Sequence, residues 1–112
     1  MSDNSNNIFP FNVLIVEDES ILLETARLIL VKFVNQVYLA KNGKTGLEVF
    51  QEKRPEVIIT DIDMPEMDGL KMSKEVLEQS SETFIVILTS YDKPEFMLDA
   101  INSGIRGFLT KP

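Results

Sequence analysis

The chain alternates short apolar runs with segments whose apolar residues recur at helical spacing. Continuous apolar runs are typical of strands that are buried on both sides, and spacings of three and four residues predict amphipathic helices. The predicted strands lie at 13–16, 37–40, 57–59, 84–88 and 107–109. The first predicted helix carries Leu22, Ala26, Ile29 and Phe33 on one stripe, and further helices are expected at 43–52, 70–78 and 94–102.

This order of elements, βαβαβαβαβ, predicts an α/β fold. Consecutive parallel strands need crossover connections, which are right-handed in nearly all proteins. We therefore expect a doubly wound, five-stranded parallel sheet with the strand order 2-1-3-4-5.

The last strand is not followed by a helix in this sequence. With the first strand central, helices two to four are expected on one face of the sheet and helix one alone on the other. Part of that second face would expose apolar side chains, which soluble monomers avoid. We expect a domain truncated after strand five, or one that covers this face by self-association.

Composition narrows the function. The 112 residues include 11 basic and 18 acidic ones, a formal charge of −7, and neither Cys nor His. Thiol chemistry, zinc ligation by Cys or His and nucleic-acid binding by this segment are therefore disfavoured. No run is long enough for a membrane span, and the polar start lacks a secretory signal. We expect a cytoplasmic protein with a flexible lead-in at 1–11 and one domain at 12–112.

The candidate chemistry lies where predicted strands end. Glu17 and Asp18 follow strand one and Asp61 follows strand three, and these strands flank the point where the strand order switches. Ligands of open parallel sheets bind there. Three converging carboxylates repel one another unless a cation neutralises them or some are protonated, and oxygen ligands alone favour Mg²⁺. Asp18 or Ser20 could instead cap the following helix.

A hydroxyl and an ammonium are expected at the same edge, because Thr89 ends strand four and Lys111 follows strand five. Taken alone, these residue types are common at strand ends. Together with the acids they predict a site of phosphate size.

These motifs resemble the signature of response-regulator receiver domains of two-component signal transduction, which are CheY-like and share the flavodoxin-like fold. The resemblance extends from Asn12 to Pro112, and the motifs that carry it are Glu17-Asp18, the segment from Asp61 to Gly69, Thr89-Ser90 and the segment from Gly107 to Pro112. It implies a phosphoprotein that takes a phosphoryl group from a sensor histidine kinase or a histidine phosphotransfer protein of a phosphorelay.

The resemblance also implies roles for individual residues. Asp61 would be the phospho-acceptor, and Mg²⁺ would be bound by Asp18, Asp61 and the backbone carbonyl of Asp63, with Glu17 acting through water. Thr89 and Lys111 would contact the phosphoryl oxygens.

Thr89 and Phe108 would form the conformational switch, while Asp63 and Tyr91 would tune the lifetime of the phosphorylated state. Turnover would be limited to self-catalysed phosphorylation and dephosphorylation. A homodimer could form through helix four and strand five or through the uncovered face.

Two other functions compete with this one. Asp61 and Asp63 match the start of the haloacid-dehalogenase phosphatase motif, in which they would be nucleophile and general acid. That class needs acids after its nucleophile for the metal, whereas here the paired acids precede it. A module that binds partners without being phosphorylated is the other alternative, and an absence of Mg²⁺ binding would support it.

Overall fold

The computed structural model describes residues 9–89 and 94–111. Five strands and four helices alternate through this part of the chain. The strands are β1 (Phe9–Val16), β2 (Val34–Ala40), β3 (Val57–Asp61), β4 (Phe84–Thr89) and β5 (Gly107–Thr110). The helices are α1 (Ser20–Leu30), α2 (Gly43–Lys53), α3 (Gly69–Gln79) and α4 (Pro94–Ser103).

All strands are parallel and form one sheet in the order β2-β1-β3-β4-β5. This confirms the predicted doubly wound α/β fold and its strand order. The first and third strands are direct neighbours, so their carboxyl ends reach the same edge of the sheet.

Strand β1 begins earlier than its apolar run suggested. Phe9 pairs with Val34 of β2, and its N–H donates to the carbonyl of Phe33 at 2.9 Å. Residues 9–11 therefore belong to the strand and not to a flexible lead-in. The rings of Phe9 and Phe11 stack with their centroids 5.7 Å apart, on a partly exposed end of the sheet.

The inward stripe of α1 differs from the predicted one. Helix α1 ends at Leu30, so Phe33 is not part of it, and Ile29 is exposed. Leu23 is buried, and Ala26 and Leu30 pack against the same cluster. An apolar sequence stripe does not define which side of a short helix faces the sheet when the opposite side is also apolar, as Ile21 and Leu28 make it here.

The helices divide between the two faces as expected. The larger core lies under α2, α3 and α4 and includes Phe50, Met72 and Ala100. The smaller core lies under α1 and includes Val13, Ile15 and Leu23. On the α1 side, Phe84 of β4 is 43% exposed and Leu109 of β5 is 53% exposed. Two large apolar side chains are thus exposed on this side of the sheet.

Candidate functional site

Three acidic side chains meet at the carboxyl ends of β1 and β3. Glu17 and Asp18 follow β1 and Asp61 ends β3, and one carboxylate oxygen from each lies within 4.8 Å of the others. Glu17 and Asp61 are buried, whereas Asp18 is exposed. The strand register produces this arrangement, because Val16 pairs with Thr60, so Glu17 directly after β1 and Asp61 at the end of β3 come next to each other.

Lys111 supplies the positive charge next to these acids. Its Nζ donates to Oδ2 of Asp61 at 2.9 Å and lies 3.5 Å from Oε1 of Glu17 and 3.6 Å from Oε1 of Glu19. The backbone N–H of Lys111 donates to the carbonyl of Thr89, which attaches the end of β5 to the end of β4. One ammonium thus faces three carboxylates.

Both oxygens of Asp61 have hydrogen-bond donors. Oδ1 accepts from the backbone N–H of Ile62 at 2.7 Å, and Oδ2 accepts from Lys111. Ile62 is the first residue after β3, and its N–H lies beside the side chain of Asp61. These contacts restrict the carboxylate to one orientation at the end of the strand.

Glu17 is the unusual member of the group, because its side chain is 1% exposed. Oε2 accepts from the backbone N–H of Glu19 at 3.0 Å, whereas Oε1 is buried without a hydrogen bond among the described residues. Burial raises the pKa of this carboxyl, and the charge of Asp61 adds to the effect; the Glu19 N–H and the Lys111 ammonium oppose it only in part. A buried acceptor without a donor is costly unless a cation or water satisfies it.

The pKa of Lys111 responds to the same charges. Partial burial disfavours its charged form, but the hydrogen bond to Asp61 and the charges of Asp61, Glu17 and Glu19 outweigh burial and raise the pKa. The lysine is therefore held as an ammonium beside the acids.

The site opens into a cavity of about 310 Å³ above the sheet edge. The residues that line it are Asp18, Glu19, Asp61, Ile62, Asp63, Leu88, Thr89 and Lys111. Thr89 is buried at the end of β4. Phe108 of β5 is partly buried and packs against the core under α2, α3 and α4, away from the cavity lining. Tyr91 lies outside the described residues.

Glu19 was missing from the predicted site, although it is the third acid in the run that follows β1. It is also the N-cap of α1, without a side-chain cap, so neither Asp18 nor Ser20 caps that helix. The acceptor for the Glu19 N–H is Glu17, a buried acid outside the helix. A run of three acids was the available signal, but it did not show which of them would face Lys111.

The donor set fits a hard divalent cation. All three clustered ligands are carboxylates, one buried oxygen has no hydrogen-bond donor, and exposed Asp18 leaves room for water ligands. Mg²⁺ favours this combination of a few carboxylates and several waters. The backbone of Asp63 follows Asp61 by two residues on the cavity wall, so its carbonyl is a further candidate ligand.

The described residues contain no helix with the length and apolar character that a membrane crossing requires.

Comparison with known proteins agrees with this geometry. The sequence model of the family described as "Response regulator receiver domain" matches residues 13–112. Chemotaxis protein CheY of Bacillus subtilis is 33% identical over 101 residues, which cover 89% of this chain and 84% of that protein. Regulatory protein AtoC of Escherichia coli is 34% identical over 103 residues, 89% of this chain but 22% of that protein. The chain thus spans less than half of several transcriptional regulators that it matches.

Solved structures show the same fold. The N-terminal domain of an uncharacterized protein from Wolinella succinogenes superposes with a TM-score of 0.86 at 31% identity, covering 90% of this chain and 82% of that one. A response regulator receiver domain protein from Clostridium thermocellum gives 0.84 at 27% identity, with 90% and 82% covered. The fold, the acidic site and the family match over nearly the whole chain lead to one conclusion: this chain belongs to the response regulator receiver domain family, a family of signalling domains rather than classical enzymes.

Proposed function

We propose that Asp61 accepts a phosphoryl group in a Mg²⁺-dependent reaction. The observation that carries the proposal is the meeting of Glu17, Asp18 and Asp61 oxygens within 4.8 Å, with Lys111 Nζ 2.9 Å from Asp61. As in the response regulator receiver family, the donor is a phosphohistidine of a sensor kinase or phosphotransfer protein. This sequence contains no His, so the donor histidine lies outside it.

In this reaction one carboxylate oxygen of Asp61 forms a bond to phosphorus, and the bond between phosphorus and the donor's imidazole nitrogen breaks. The imidazole leaves with the bonding electron pair. Lys111, already beside Oδ2, transfers its hydrogen bond to an oxygen of the incoming group. Asp18, Asp61 and the Asp63 carbonyl would hold Mg²⁺, with Glu17 acting through water, and the ion would neutralise the charge that develops on the phosphoryl oxygens.

The phosphorylated state is read out through β4 and β5. Thr89 lines the cavity and pairs with Thr110 of β5, while Phe108 pairs with Ile87 two residues earlier on β4. A hydrogen bond from Thr89 to a phosphoryl oxygen draws the end of β4 toward the site. Phe108 then turns inward, and the surface of α4 and β5 shifts between two populated states.

Asp63 and Tyr91 tune how long this state lasts. Asp63 is exposed on the cavity wall, where its charge alters the approach of the attacking water. We expect Asp63→Asn to change the dephosphorylation half-life. Equal half-lives in the variant and the parent would remove Asp63 from this role.

Labelling by acetyl phosphate with Mg²⁺ tests the acceptor. Asp61→Asn is expected to abolish phosphate incorporation, because the amide lacks the nucleophilic oxygen. Asp63→Asn is the matched control: it removes an acid from the same cavity, keeps the backbone carbonyl and should still be labelled. Undiminished labelling of Asp61→Asn would place the acceptor elsewhere.

The same samples separate the two alternatives. Sustained turnover of a phosphate ester would favour a haloacid-dehalogenase-like phosphatase, although the family match and the acids that precede Asp61 favour the receiver. A Mg²⁺ titration without binding would favour a module that is never phosphorylated.

The same proposal includes a cytoplasmic location. It also includes a homodimer, for which the structure offers two exposed apolar surfaces. Leu98 and Ile101 are exposed on α4, and Phe84 and Leu109 are exposed on the α1 side of the sheet. Association through either surface would bury apolar area. Light scattering on the parent and on Leu98→Glu or Phe84→Glu distinguishes the two, and a monomeric parent would exclude both.

A further inference from the structure

The loop between β3 and α3 is attached to the rest of the domain at two places. At its base, the N–H of Gly69 donates to the carbonyl of Ile62 at 2.9 Å. Two residues before α3, the carbonyl of Met67 accepts a hydrogen bond from the N–H of Gly43, the first residue of α2, also at 2.9 Å. Between these contacts the loop makes a tight turn at Glu66, which has a φ of 72°, in the left-handed region.

The contact with Met67 needs a glycine at position 43. A Cβ on Gly43 would lie 2.0 Å from the Met67 carbonyl oxygen and 2.7 Å from its carbon. Gly43 does not have a positive φ, so the requirement is for space and not for an unusual backbone conformation. Backbone atoms cannot rotate away as a flexible side chain can, so an added methyl group must displace the loop.

The same contact completes the start of α2. The first N–H groups of a helix have no partners within it. Here the Asn42 side chain accepts from the Thr45 N–H at 2.8 Å, and the Met67 carbonyl accepts from Gly43. Helix α2 therefore uses the loop as part of its cap, and the loop uses α2 as its support.

We propose that Gly43 is a positioning residue for the phosphoryl-transfer site. It holds the loop that carries Asp63, whose backbone carbonyl is the candidate cation ligand, and so sets the position of that carbonyl relative to Asp61. The inference rests on the proposed function. An alanine at position 43 must displace Met67 by about 1 Å to bring the contact from 2.0 Å to 3.0 Å. The Ile62–Gly69 hydrogen bond closes the loop, so we expect this displacement to move the other loop residues, Asp63 included.

Gly43→Ala tests the proposal, with Gly46→Ala as the matched control. Gly46 is also buried in α2, but its added Cβ would meet Met72 Sδ at 2.8 Å and Val16 Cγ2 at 3.0 Å, in the core and away from the loop. Both variants should lose stability in urea. Mg²⁺ titrations followed by amide NMR should show about a tenfold weaker affinity in Gly43→Ala, the size typical of lost support around metal ligands, and less than a twofold change in Gly46→Ala.

A second measurement needs no metal. In Mg²⁺-free protein, the amide signals of residues 62–68 should move in Gly43→Ala and stay in place in Gly46→Ala. Three outcomes would overturn the proposal. In the first, Gly43→Ala binds Mg²⁺ as tightly as the parent. In the second, Gly43→Ala and Gly46→Ala lose Mg²⁺ affinity equally, and in the third the loop signals of Gly43→Ala do not move. A parent that binds no Mg²⁺ would contradict the proposed function, and the metal-free signals would still test the loop contact.

If Gly43→Ala does not fold, Met67→Gly replaces it. This variant keeps the carbonyl that accepts from Gly43 but frees the loop backbone and removes a side chain that packs against the core. We expect about threefold weaker Mg²⁺ binding, and unchanged binding would overturn the proposal.

Discussion

Val16 and Glu17 are adjacent and equally inaccessible, at 0% and 1% exposure, yet they belong to regions with opposite energetics. Val16 lies in the apolar core under α2, α3 and α4, where burial stabilises the fold. Glu17 lies in the acidic site, where burial disfavours its charge and one oxygen has no hydrogen-bond donor. The difference shows that the site is maintained at a cost to stability, which the core offsets.

The largest effect is expected in the core. Ile85→Ala should lower the free energy of unfolding by about 2–5 kcal/mol, because Ile85 is 0% exposed and its removal leaves a cavity. Its neighbour Phe84 points to the sparsely covered face and is 43% exposed. Phe84→Ala should cost less, despite removing the larger side chain. Urea unfolding measures both, and equal losses would contradict the assigned difference between the faces.

A smaller loss is expected when the site loses its ammonium. Lys111→Met removes a hydrogen bond to a charged acceptor, an interaction worth about 1.5–3 kcal/mol. It also leaves Glu17 and Asp61 without their counter-charge, which raises the pKa of Glu17 further. The loss of stability should therefore be greater at pH 7 than near pH 5, as measured by urea unfolding in EDTA. A pH-independent loss would indicate that only packing had changed.

Glu17→Gln should increase the free energy of unfolding, whereas Lys111→Met should decrease it. The pKa of Glu17 is raised above its ordinary value of 4.5 by folding, so the unfolded state releases this proton at lower pH. Stability from this group is full below the unfolded pKa and is lost as the pH rises through the folded pKa. The groups facing it are Asp18, Asp61, Glu19 and Lys111.

At pH 7 without metal, Glu17→Gln should therefore be more stable than the parent, by less than the effect at Lys111, and its stability should vary less with pH. Mg²⁺ should stabilise the parent more than the variant, as read from thermal melts with and without the ion. A variant that is less stable than the parent in EDTA would contradict the cost assigned to this buried carboxylate.

The smallest effect is expected at the surface. Lys74 of α3 and Asp99 of α4 form an ion pair at 3.0 Å, with side chains 44% and 51% exposed. Such pairs are worth about 0–1 kcal/mol. A double-mutant cycle with Lys74→Ala and Asp99→Ala should give a coupling in this range that falls with added salt. A larger coupling that does not depend on salt would contradict the expectation that an exposed ion pair is weaker than the ion pairs of the buried site.

Much of the fold was predictable from local sequence. Five buried runs and four amphipathic segments specified a parallel sheet, because strands covered on both faces have no polar alternation and their crossovers have one hand. The inward side of α1 was not predictable, since Ile21, Leu28 and Ile29 make the helix apolar on its exposed side as well.

The site was predictable in its residues but not in its contacts. Acids at the ends of β1 and β3, with Thr89 and Lys111, could be placed at one edge because strand order determines which ends are neighbours. Three features of the site were not predictable. The burial of Glu17 and the contact of Glu19 with Lys111 depend on the directions of the side chains. The hydrogen bond from Gly43 to the Met67 carbonyl joins residues that lie 24 positions apart in the sequence.

The sequence by itself therefore determined the class of fold, the family and the chemical groups available, since these follow from periodicity and motif. Only the tertiary structure decided which carboxylate is buried, which of its oxygens lacks a hydrogen-bond donor and which glycine contacts the loop between β3 and α3. Burial and hydrogen bonding depend on atoms brought together from distant parts of the chain, and no local pattern records them.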